Sequence, residues 1–303
     1  ALAFIFFASL MRWNALAATF APMILLFRWT PAIRGFGRYA VATLAWLAVT
    51  FAAYEVNDVL TDEHEHLWHW GYGYVDLAGT IEYMPDMDDA TLNKMLDGVP
   101  LLYHDNLHAR FRKIYNPAYQ YHLSRNEGRI LRVPANEQER EAVVAAWKRV
   151  VLGHPGAYLQ YRIDNFRQLL SIDRPPSFSN VYVWFNVIAA PEVIDELGYD
   201  AAPSRIQARL IDASIWISLT PLYFTFLYVA ICLLLVPLVR ERLELALILS
   251  AIGYEAQWFF LAATADTRYS QWLAICTFLT AILVVARVTR QRRRGPGAET
   301  LPG

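Results

Sequence analysis

Cysteine and lysine are scarce in this chain of 303 residues. Cys232 and Cys276 both lie inside apolar runs, so neither a disulfide framework nor a cysteine-based metal site is on offer. With lysine confined to Lys94, Lys113 and Lys148, nearly all positive charge is arginine. No basic block interleaved with aromatics forms a nucleic-acid surface, which sets that class of partner aside. A glycine-rich phosphate loop, a Walker motif and a nucleophile elbow are all absent, removing the common nucleotide-binding and hydrolase sites. Charge itself is thin: 18% of residues, against 56% apolar and 14% aromatic. That balance is too apolar for an ordinary soluble domain of this length and points to a polytopic membrane protein.

The net charge of −1 hides an asymmetry, since Glu55 to Asp212 carries 23 acidic and 15 basic residues and the remainder 5 and 12. All seven histidines fall in the acidic stretch. A bilayer core takes about 20 apolar helical residues. Runs of that length occur at 38–56, 211–238, 244–264 and 269–287, and the opening region 1–28 is apolar but broken at Arg12, Trp13 and Asn14. The expectation is an all-α integral membrane protein with about six membrane segments, the first one or two short or broken, and a mainly helical extracytoplasmic domain. Arginines at 28–38 and in the tail from Arg287 mark cytoplasmic sides. The layout becomes membrane segments over 1–58, an outer domain over 59–205, three transmembrane helices over 206–288 and a disordered cytoplasmic tail over 289–303. The chain opens in mid-hydrophobic run, with no basic stretch ahead of it as in a signal peptide, and reads as the later part of a longer one.

Within the outer domain, Asn136 and Glu139 form an N-x-x-E start ahead of an apolar-periodic run that stops at Gly153. A second helix with Pro155 in its first turn places Tyr158 and Arg162 one turn apart. Asp89–Leu96 and Asn106–Tyr115 are shorter helical candidates. Val181–Ile188 reads equally as strand or buried helix.

Ionisable residues at membrane depth are costly unless paired or wetted, and so default to functional hypotheses. Asp266, Arg268 and Tyr269 sit together at the outer end of the penultimate span. An interfacial anchor is the competing reading, because Asp, Arg, Tyr and Trp collect at such ends. Arg12 and Asn14 make a second polar break on the same side, where an arginine beside a helix N-terminus suits an anion. Glu255 lies about 12 residues into its span, near mid-bilayer. His64, His66 and His69 with neighbouring carboxylates offer divalent-cation ligands, but lack H-E-x-x-H spacing and read better as a wet acidic collar.

Four motifs in order carry a resemblance: Arg12-x-Asn14-Ala15, Asp76-Leu77-Ala78-Gly79, Leu152-x-His154-Pro155-x-x-Tyr158-Leu159-x-x-Arg162, and Asp266-x-Arg268-Tyr269-Ser270-x-Trp272. Together they resemble a group of bacterial polytopic proteins that is similar to the GT-C class of membrane glycosyltransferases. The resemblance implies transfer of a sugar from a polyprenyl-phosphate donor to an envelope glycan, lipid or protein, at the outer face of the bacterial inner membrane. It implies no certain cofactor, with a divalent cation left open. It assigns substrate or lipid-phosphate contacts to Arg12, Asn14, Asp266, Arg268 and Tyr269, with Asp76 and Glu255 in support. GT-C enzymes keep their catalytic carboxylates in the first outer loop, so the general base is expected upstream of Ala1. The alternative is a non-catalytic envelope-assembly or transport protein that binds a lipid-linked glycan.

Overall fold

In the computed structural model, residues 2–11, 15–61, 68–116, 123, 129–172, 204–218, 220–263, 265 and 267–294 are described. Among them helix is the only repeating structure, and a single antiparallel bridge joins Leu101 to Leu131. The chain divides into two compact units. The first comprises Ala1–Glu65, Tyr228–Phe260 and Tyr269–Gly303; the second comprises His66–Leu227 and Leu261–Arg268.

The first unit is built from apolar helices: α1 (Leu2–Met11), α2 (Ala15–Leu26) and α3 (Gly35–Leu60), with α1 and α2 each lying along α3. Later in the sequence the same unit takes up most of α10 (Thr225–Leu235), α11 (Arg242–Leu261) and α12 (Gln271–Arg294). Helices α3 and α12 are long and apolar enough to cross a membrane. This differs from the six segments expected. Residues 211–238 are divided among α9 (Arg205–Ser218), a 3-10 turn at Pro221–Tyr223, α10 and a second 3-10 turn at Val236–Leu238. Proline lacks the N–H a continuous helix needs, and Pro221 and Pro237 supply those interruptions. Helix α11 has the length, but Glu244, Glu255 and Gln257 dilute its apolar character. Helices α1 and α2 are short, and the Arg12–Asn14 break lies outside the described residues.

The second unit has its core around α4 (Gly73–Glu82), whose residues from Gly73 to Ile81 are all buried. A π turn at Trp68–Tyr72 leads into α4. Around it lie α5 (Asp89–Met95), α6 (Leu107–Ile114), α7 (Glu137–Trp147) and α8 (Pro155–Leu169), and Leu77, Ile81, Leu92, Leu107, Phe111, Val143, Val150 and Tyr161 fill the interior. Each such side chain contributes on the order of 2 kcal/mol by leaving water.

The helix starts follow local chemistry. Asp88 Oδ1 accepts from Thr91 N at 2.8 Å and caps α5. Asp89 accepts from Asn106 N at 2.7 Å and Leu107 N at 2.8 Å, so an acid from α5 satisfies the start of α6. Asn136 Oδ1 accepts from Glu139 N at 2.9 Å while Glu139 Oε2 accepts from Ala135 N at 2.7 Å, which realises the N-x-x-E signal. The run it opens remains α-helical to Trp147 and reaches Gly153 through a π turn, Lys148–Leu152. Pro155 occupies the first turn of α8 as expected. Val181–Ile188 and the tail beyond Arg294 lie outside the described residues, whereas α12 carries helix through Arg292 and Arg293, inside the stretch expected to be disordered.

Candidate functional site

Two of the sequence motifs meet inside the second unit. Asp76 lies in the first turn of α4 and Arg162 midway along α8, and their side chains are 8% and 3% exposed. Asp76 Oδ1 accepts from Arg162 Nη2 at 2.5 Å and from Tyr161 OH at 3.2 Å; Oδ2 accepts from Trp147 Nε1 at 2.8 Å. Arg162 Nε donates to Tyr158 OH at 3.0 Å and Nη1 to the carbonyl of Ala262 at 2.8 Å. The guanidinium also lies 4.9 Å from the Tyr161 ring centroid. Gly79 has a steric reason: a Cβ there would come within 2.4 Å of the Tyr161 ring. The D-L-A-G and Y-L-x-x-R words are therefore two halves of one buried ion pair, with glycine admitting the aromatic ring between them.

Burial pushes the Asp76 carboxyl above the usual carboxylate range, against the opposing pull of Arg162, Trp147 and Tyr161. Burial also disfavours the charged Arg162, but Tyr161, Asp76 and Tyr158 outweigh it and hold the guanidinium protonated. Tyr161 is pushed well above its ordinary value by burial. Every charged atom of the centre has a partner, so its chemistry is positional. What it positions is main chain: Arg162 and Asn165 Nδ2, the latter at 3.0 Å, both donate to Ala262 O, just ahead of the segment that contains Asp266 and Arg268.

The first unit holds a different polar centre. Glu255 on α11 is 3% exposed. Its Oε1 accepts from Ser270 Oγ at 2.8 Å, while Oε2 is buried with no hydrogen-bond partner among the described residues. One helical turn on, Trp258 Nε1 is likewise buried and has no hydrogen-bond partner among the described residues. The Tyr269 ring stacks on Trp258 with centroids 4.2 Å apart and planes 16° from parallel. Nearby, Ser250 Oγ donates to Ala18 O at 2.5 Å and accepts from Trp272 Nε1 at 2.8 Å. A carboxylate oxygen without a partner in such surroundings can accept a hydrogen bond or a proton from a bound hydroxyl.

Of the residues expected to form a site, Tyr269 and Glu255 belong to this second centre and Asp76 to the first. Arg12, Asn14 and Asp266 lie outside the described residues, and Arg268 is described in its backbone alone, within the 3-10 turn Thr267–Ser270. His69 falls in the π turn before α4; His64 and His66 lie outside the described residues. Among the described residues no group of three or more His, Cys, Asp or Glu side chains is arranged to hold a metal ion. Arg162, Tyr161, Trp147 and Asn165 were not expected as site residues. The signal that could have found Arg162 is Asp76 itself, an acid within the apolar stretch 74–81 that needs a cationic partner. Comparison with known proteins finds no matching family model, no matching curated protein and no matching solved structure.

Proposed function

We propose that this chain is a multi-pass protein of the bacterial inner membrane that binds a polyprenyl-phosphate-linked sugar and takes part in transferring the sugar to an envelope acceptor. In this reading residues 59–205, which make up most of the second unit, are extracytoplasmic, and the arginines of 28–38 and of the α12 end face the cytoplasm. The shorter apolar helices α1, α2 and α10 sit in the bilayer beside α3, α11 and α12. The observation that carries the reading is the convergence of Arg162 and Asn165 on Ala262 O. A buried ion pair is a poor source of net stability but an effective positional device. Here it fixes main chain at the head of the segment that bears Asp266 and Arg268. An arginine that follows this fixed main chain in the sequence, at the outer membrane face in this reading, suits the phosphate of a lipid-linked donor, whose charge grows as the sugar departs.

The test uses the protein in lipid nanodiscs with a radiolabelled polyprenyl-phosphate sugar, measuring donor retention and sugar release separately. Arg268→Ala should weaken the phosphate-dependent step by about a hundredfold, the usual effect of losing one donor to a developing charge. Arg268→Lys should recover only part, because lysine keeps the charge and loses the planar fork. Arg292→Ala is the control; Arg287 is unsuitable because it donates to the buried Glu244 at 2.9 Å. Donor retention without release would make the chain a lipid-linked-glycan binder, the envelope-assembly alternative. No retention by the wild type, or equal retention by Arg268→Ala, would overturn the proposal.

A further inference from the structure

A second charged feature of the first unit is unrelated to the sugar donor. A cavity of about 460 Å³ is lined by Arg28, Thr30, Pro31, Ile33, Arg34, Gly35, Arg38, Tyr39 and Arg242. Four of these nine residues are arginines and none is an acid. Arg38 is 8% exposed, and its guanidinium donates to the carbonyls of Leu25 and Phe27, closing the end of α2. The other three arginines are exposed.

The helix starts in this unit show why the arrangement is unbalanced. Helix α11 begins with its own acceptor: Glu244 Oε2 takes hydrogen bonds from Arg240 N at 2.8 Å and Glu241 N at 3.2 Å, and Arg287 neutralises the carboxylate. Helix α3 begins with the opposite chemistry. Its N-cap is Arg34, its first turn holds no acid, and among the described residues no side chain caps it and nothing lies within 4 Å of the Cβ position of Gly35, which is at φ +60°. A helix N-terminus carries partial positive charge and unsatisfied N–H groups. Gathering the exposed guanidiniums of Arg28, Arg34 and Arg242 around that end, with no acid in the lining, is unfavourable until an anion balances them.

We propose that this cavity is a receptor for a phosphate ester, and specifically for the phosphodiester headgroup of an anionic membrane lipid. The planar forks of Arg28, Arg34 and Arg242 match phosphate oxygens, with the buried Arg38 as a fixed floor. The surroundings favour a lipid as the source. Trp29 is 65% exposed and Phe36 is 86% exposed, so the arginines alternate with aromatics of the kind that settle at headgroup level. Basic pockets beside cytoplasmic helix ends hold anionic headgroups in the same way. The proposal rests on the membrane reading above but not on sugar transfer, and its test uses no sugar donor.

The experiment measures cardiolipin and phosphatidylglycerol retained by the purified chain in native mass spectrometry, together with the melting shift produced by inorganic phosphate. Arg28→Gln/Arg34→Gln/Arg242→Gln removes the exposed charges and leaves Arg38 and its two carbonyl contacts intact, so folding is preserved. It should lower anionic-lipid retention at least tenfold and leave zwitterionic phosphatidylethanolamine retention unchanged. Arg290→Gln/Arg292→Gln removes charge from the end of α12 and should have less than a twofold effect. A phosphate-induced shift that the triple variant abolishes, with no lipid preference, would keep the phosphate site and assign it to a soluble phosphate ester. Equal lipid retention by triple variant and wild type with no phosphate-induced shift, or equal loss in the α12 variant, would overturn the site.

Discussion

Asp76 and Glu255 are both buried carboxylates, at 5% and 3% exposure, yet they are treated in opposite ways. Asp76 receives three side-chain donors, one of them a guanidinium that is itself fully engaged. Glu255 receives one hydroxyl, and its other oxygen has no partner among the described residues. A buried charge that is completely paired is expensive to disturb and has no capacity left for a ligand. One that is half paired is inexpensive to neutralise and still able to accept. The first centre is therefore closed, while the second keeps an acceptor oxygen with no partner among the described residues.

The largest effect should come from breaking the paired centre. Arg162→Ala leaves a buried carboxylate without its counter-charge and should cost about 3–5 kcal/mol in an unfolding titration. Replacing both partners, as Asp76→Leu/Arg162→Met, should recover most of that loss, because no unpaired charge remains. If the double variant is as unstable as Arg162→Ala alone, the ion pair is not the reason the centre is rigid.

A smaller loss should follow Gly79→Ala. Its Cβ would meet the Tyr161 ring at 2.4 Å, and overpacking of this kind costs about 1–3 kcal/mol. Adding Tyr161→Leu should cost less in the Gly79→Ala background than in the wild type, a coupling that thermal unfolding can read. Additive losses would show that Gly79 is not there to admit the ring.

How these centres stood in the sequence explains what could be read in advance. Helix starts were legible because their grammar is local: Asn136 finds Glu139 three residues on, and Pro155 opens α8. Tyr158 and Arg162 were legible as neighbours for the same reason, four residues apart on one helix. The meeting of Asp76 with Arg162 spans 86 residues, and no periodicity reports a contact of that range. Six segments were expected where α3 and α12 have the length and apolar character to cross a membrane, because an apolar run shows composition and not continuity. Residues 211–238 have the composition, but their prolines divide the helix. Tyr269 was expected among the lipid-phosphate contacts, and the stacking of its ring on Trp258 is a feature that residue type alone does not foretell.

The capping pair of α7 gives an effect of about 1 kcal/mol, outside both centres, and calibrates the comparison. Glu139 is held below its ordinary value of 4.5, first by Arg132 and then by the Ala135 N–H. Its contribution is complete above that ordinary value and is lost as pH falls through the lower folded one. Glu139→Gln should therefore lower stability at neutral pH and flatten the acid limb of the stability curve below about pH 4.5. Hydrogen exchange at the first turn of α7 would locate the loss; an unchanged acid limb would dissociate the cap from the carboxylate's charge.

The smallest effect on stability is expected at Glu255. Glu255→Gln retains a carbonyl oxygen for Ser270 and puts an amide where the unpartnered oxygen stood, which removes a group whose charge burial opposes. Stability should therefore change by less than about 1 kcal/mol, in either direction. Glu255→Asp supplies the counter-test: it keeps the charge but shortens the reach by one methylene, so the Ser270 bond at 2.8 Å should be strained and stability should drop more than for the neutral Gln. If Glu255→Gln instead costs as much as Arg162→Ala in the same unfolding titration, Oε2 is engaged after all, and the contrast between a closed and an open carboxylate fails.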